Sequence, residues 1–167
     1  MSLSMYAITA PVFTRYLNNL DAILAKAEAN AAERKIKPEV LPASRLAPDM
    51  LPLTFQVQST TDRIKFVLAR LTGRTPPSWA DTETTLGDLR ARVKTALDYV
   101  ATFTEADLAG SEERPVTLKV RGEEQSVPSV PHVTLNAIPQ ITFHLTMAYA
   151  ILRHNGVPIG KGDFVGG

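Results

Sequence analysis

The side chains best suited to chemistry are three histidines, His132, His144 and His154, set among amides and carboxylates and without a single cysteine. His144 shares a helical face with Ile141, Met147, Ala148 and Ile151, so the periodicity turns it inward. A buried imidazole needs a partner. It is either a neutral core histidine bonded to a neighbouring side chain or carbonyl, or a ligand or acid-base group. A metal-binding helix normally presents a second ligand one turn away, as in two histidines at i and i+4. Here that position is Ala148, and one turn upstream lies Gln140, whose amide can hydrogen-bond. His132 follows Pro131 in a turn, where an exposed side chain is expected. His154 sits in a last helical turn, where it complements the helix dipole.

A second set of polar residues lies upstream. Gln58 and Asp62 stand one turn apart on a common helical face. Asp62 is expected either to pair at the surface with Arg63 or Lys65, or to reach His144, orient its ring and raise its pKa. The latter pairing would make an acid-base site. Trp79, which follows two prolines, is expected to plug one end of the fold, where an aromatic can also touch a ligand. Ser44, Ser59 and Ser78 lack an adjacent histidine or a glycine-flanked elbow, so serine-hydrolase chemistry has no support in the sequence. The glycines of Gly156 to Gly162 follow a helix instead of leading into one, so no phosphate loop is present.

These groups must be positioned by helices. Phe13, Tyr16, Leu17, Leu20, Ile23, Leu24 and Ala27 draw one apolar stripe that predicts a first long helix reaching about Lys35. Pro38, Pro42, Pro48 and Pro52 punctuate a connection to a second helix over about Leu53 to Leu71, which Gly73 ends. Thr82 is expected to cap a third helix carrying Leu86, Leu89, Val93, Ala96, Leu97 and Val100. Alternation from Val116 to Val130 predicts a small β-hairpin turning at Arg121 to Glu124, or else a structured crossover. A fourth helix is expected to begin near Leu135 or Pro139 and close at Gly156, followed by an uncommitted tail. The fold class is all-α: a four-helix bundle with long crossover connections and the hairpin before the last helix.

Size and charge agree with a single domain spanning residues 1–167. The hydrophobic share of 44% suffices for a core. Eighteen basic residues against 17 acidic ones are scattered, so nucleic acid is not an expected partner. No apolar run approaches the roughly 20 residues that cross a bilayer, and the amino-terminal stretch lacks a basic leader. A cytoplasmic protein that does not engage membranes is expected.

Four helices in this layout, with the words Arg45-Leu46-Ala47-Pro48-Asp49-Met50, Gln56-Val57-Gln58 and Tyr149-Ala150-Ile151-Leu152-Arg153-His154-Asn155-Gly156, resemble an uncharacterised bacterial branch of the DinB/YfiT-like superfamily. The resemblance implies the bundle over nearly the whole chain. It also implies, for many members, a divalent metal held by three histidines, one on the second helix and two a turn apart on the last. Carried onto this chain, that set falls on His144, Ala148 and a position near Gln58, so one histidine of three remains. The expected function is therefore binding of a small molecule in the bundle interior by His144, Asp62, Gln58, Gln140 and Trp79, with no cofactor. The first alternative is a divalent-metal-dependent transferase or hydrolase using nickel, zinc or manganese on His144, Asp62 and His132. The second is a non-catalytic homodimeric interaction protein.

Overall fold

A computed structural model describes residues 4–120 and 122–166. In chain order its elements are α1 (Met5–Ile8), α2 (Ala10–Glu33), α3 (Val40–Ala43), α4 (Leu53–Thr72), α5 (Leu86–Val100) and α6 (Glu105–Leu108). There follow β1 (Val116–Val120), β2 (Glu123–Val127), α7 (Ser129–Pro131), a π-helical turn over His132–Ala137, α8 (Ile138–His154) and α9 (Lys161–Val165). The class is mostly helical, with one two-stranded antiparallel sheet in which Val116 pairs with Val127 and Leu118 with Gln125. Arg121, assigned to the hairpin turn, lies outside the described residues. Among the described residues no helix is long and apolar enough to cross a membrane.

Each long helix buries the stripe that its sequence announces. In α2 Phe13, Leu17, Leu20, Ile23, Leu24 and Ala27 are buried, and this face lies against α5. Helix α4 packs on both α5 and α8, contributing Leu53, Val57, Ile64, Val67, Leu68 and Leu71 to the same core. Apolar faces removed from water in this way supply most of the helical stability, because short helices are marginal alone. Gly73, at φ +71°, ends α4 in the left-handed region that a side chain resists.

The third long helix starts three residues later than its sequence suggested. Thr85 caps it, its Oγ1 accepting from the Asp88 amide while the Asp88 carboxylate accepts from the amide of Thr85. Thr82 has no acid three residues on to complete such a box, whereas Thr85 does. Thr85→Ala should therefore cost about 1 kcal/mol, seen as a melting temperature lower by roughly 2–4 °C. An unchanged melting temperature would show that the box contributes nothing.

The last long helix is approached through a wide turn. Pro139 has no amide to give to the preceding turn, and its ring would crowd the carbonyl four residues back in a regular helix. The π-helical stretch over His132–Ala137 opens the spiral just before it, which accommodates that defect and rolls His132 inward. The tail is not uncommitted. Val157 and Ile159 are buried, and α9 lies on α2, where Arg15 donates to the Val165 and Gly166 carbonyls and Asn19 to that of Phe164. These contacts join residues far apart in sequence, which a local pattern does not register.

Candidate functional site

Helix α4 has two polar edges that face different neighbours, and this geometry organises the candidate site. On the α8 edge stands Gln56, buried and one turn before Thr60. Its amide nitrogen Nε2 donates to the Leu51 carbonyl at 3.0 Å, which fixes the amide so that Oε1 faces His144. That oxygen lies 2.8 Å from Nδ1 of His144. An amide oxygen only accepts, so Nδ1 carries the proton and Nε2 of a neutral ring keeps its lone pair. Burial, followed by the positive charge of Arg63, pushes the His144 pKa down to about 4. Phe143 and Phe55 stand in edge-to-face geometry with the ring, at 5.4 Å and 6.0 Å between centroids, and both are exposed.

On the α5 edge a different cluster forms around Arg92, whose side chain is only 2% exposed. Its Nη2 meets Asp62 at 3.0 Å, its Nη1 meets Asp81 at 2.8 Å and Glu83 at 2.9 Å, and its Nε donates to Thr61 at 2.8 Å. Gln58 donates to the other oxygen of Glu83 at 2.8 Å. Burial opposes an ionised Glu83, but hydrogen bonds from Gln58 and Arg92 outweigh it and hold the carboxyl below the usual carboxylate range. Lys65 pairs with Asp62 at 2.7 Å and lies 4.3 Å from the Trp79 ring centre. A surface depression of about 430 Å³ opens here, lined by Trp79, Glu83, Arg92 and Thr95.

The five side chains expected to share one pocket are thus divided by α4. Gln58, Asp62 and Trp79 join the Arg92 cluster, and His144 stands on the opposite edge. Gln140, also on α8, turns to Asn136 at 2.8 Å. Asp62 does not orient His144, because it follows Gln56 by six residues and so points about 240° around the helix from it. The His144 pKa is accordingly lowered, where a carboxylate partner would have raised it. His132 is not an exposed loop residue but is buried, only 6% exposed, because the π-helical turn presses it against the fold. Both of its ring nitrogens lack a partner, and burial, then the charge of Arg70, lowers its pKa.

Sequence reasoning did not count Gln56 or Arg92 among the site residues, although each left a signal. Gln56 falls at core spacing, three residues after Leu53 and four before the buried Thr60, and Arg92 falls between Leu89 and Ala96 at core spacing. A polar residue at a core position predicts a buried partner. The set of three histidines implied by the resemblance does not assemble. Ala148 is fully buried with no donor atom, and the Gln56 amide is already engaged at both ends. Among the described residues no group of three or more His, Asp or Glu is placed to hold a metal ion.

The family model described as Domain of unknown function (DUF1993) matches residues 5–165. A crystal structure described as a DinB family member protein from Shewanella denitrificans aligns with a TM-score of 0.88 at 41% identity, covering 98% of this chain and 92% of that one. No curated protein matches the chain.

Proposed function

This chain belongs to the DUF1993 family, a DinB-like domain of unknown function, and from that premise we propose that it is a four-helix bundle that binds a small molecule at the seam of α4 and α8, anchored by His144. The observation that carries this reading is the unused lone pair on Nε2, left open when Gln56 engages Nδ1. A neutral acceptor beside the exposed rings of Phe55 and Phe143 suits a flat apolar body bearing one O–H or N–H donor. Asp62, Gln58 and Trp79 stand on the far edge of α4, so in this reading they hold the crossover before α5 and do not touch the ligand. Catalysis is not required. An imidazole with a pKa of about 4 is a poor base at neutral pH. A metal-dependent transferase or hydrolase would need further ligating atoms about 2.0–2.3 Å from a metal on Nε2, and among the described residues no group of three or more His, Asp or Glu is placed to hold such an ion.

p-Cresol is a direct probe, being a flat ring with one hydroxyl donor. It should shift the His144 ring resonances saturably, and His144→Leu should weaken its binding about tenfold or more, the loss of one hydrogen bond to a buried acceptor. Equal affinity in the folded variant would end the proposal. A second reading, self-association, is favoured by the exposed apolar side chains Leu135, at 77%, and Phe143, at 52%. A sedimentation mass that stays monomeric as concentration rises would exclude it.

A further inference from the structure

Gln56, Thr60, Arg63, Val67 and Arg70 recur at spacings of four and three residues, so they follow one edge of α4 beside α8 and the π-helical turn. The edge begins at the Gln56 contact with His144. Arg63 and Arg70 then stand two turns apart, about 10 Å along the axis. Elsewhere Arg74, Arg90 and Arg92 each meet a carboxylate. Among the described residues Arg63 and Arg70 take part in no ion pair and no hydrogen bond, and the half-buried Arg63 has its Nε shut off from water with no acceptor. Arg70 is exposed and leans over the Phe66 ring at 5.3 Å between the guanidinium carbon and the ring centre. His132, on the π-helical turn that meets α4 and within reach of the charge of Arg70, is buried with an unpaired donor and an unpaired acceptor on its ring.

Unpaired buried donors and neighbouring like charges destabilise a folded chain unless something answers them. Desolvation and then the charge of Arg63 lower the proton affinity of Arg70, so the two guanidinium groups do sense each other. We propose that the α4 edge formed by Arg63, Arg70 and His132 binds an oxyanion, the carboxylate or phosphate group of a small molecule. A guanidinium presents paired N–H donors that match two oxygens of such a group, and the His132 ring can supply one more N–H. The proposal rests on the reading above, since it assigns an anionic end to the molecule whose apolar body would lie by His144, but it is tested apart from it.

Inorganic phosphate and acetate serve as separate probes, titrated into the full chain while the ring signals of His132 are followed by NMR. One of them should shift those signals saturably at millimolar concentration, and the one that binds identifies the group. Arg63→Gln and Arg70→Gln should each weaken that binding about tenfold or more, while Arg153→Gln, on the exposed last turn of α8, leaves it unchanged. In the absence of anion the Arg63→Gln protein should melt at the same temperature or roughly 2–4 °C higher, because an unanswered charge has been removed. Failure of both anions to bind, binding indifferent to Arg63 and Arg70, or a marked loss of stability in Arg63→Gln would each overturn the assignment. Anion binding without any p-cresol effect at His144 would instead reject only the earlier reading.

Discussion

Arg92→Ala should destabilise the fold by about 3–5 kcal/mol, lowering the melting temperature by on the order of 10 °C. The wild-type guanidinium is almost fully removed from water and answers Asp62, Asp81, Glu83 and Thr61 together. Truncation leaves Glu83, only 10% exposed, without its cation, and Thr61 without its donor. It also releases the segment before α5, which Arg92 ties down through the Ala80 carbonyl as well as through Asp81 and Glu83. The contrasting variant is Lys94→Ala, which removes the 76% exposed Lys94 from its contact with Asp98 on the same helix. That change should stay within about 0.5 kcal/mol, as surface pairs do. Denaturant unfolding of both variants measures the contrast. Equal small losses would mean that the Arg92 cluster is no more than a surface pair in its effect.

Stability should also fall between neutral pH and pH 4, with His144 as a main cause. Its folded pKa of about 4 lies below the ordinary 6.5, so over that interval the unfolded chain binds a proton that the native chain refuses. Stability is then complete above pH 6.5, declines as pH drops toward 4, and levels off below. At most this amounts to about 3 kcal/mol for a shift of that size. His132, also lowered by burial and by Arg70, acts in the same direction. Glu83, with its depressed pKa, loses its contribution only at lower pH, as it takes up a proton. Denaturant midpoints of wild type and His144→Gln, taken from pH 7.5 to 4, isolate the term: the variant should lose less as pH falls. Parallel curves would show that the His144 ring is not held neutral by its surroundings.

Most of the helical architecture was legible because it depends on local periodicity. The stripe from Phe13 to Ala27 placed α2, Gly73 placed the end of α4, and the alternation from Val116 located the hairpin. The start of α5 was misjudged by three residues because several threonines compete as caps and only Asp88 selects Thr85. The helix at Lys161–Val165 was missed because contacts to Arg15, Asn19 and Lys26, more than a hundred residues away, hold it.

For the candidate site the division is sharper. From the sequence by itself came the inward direction of His144, the lack of a second histidine one turn on at Ala148, and the DinB-like resemblance that the family match bears out. Those follow from helical spacing and residue identity, which are properties of one segment. Only the tertiary structure decided that His144 meets Gln56 and not Asp62, that Arg92 gathers the carboxylates, and that His132 is buried. Periodicity fixes which face of a helix a side chain occupies, but not which neighbouring helix that face meets. On α4 the two polar edges look toward different partners, so residues close together in sequence came to rest in separate environments.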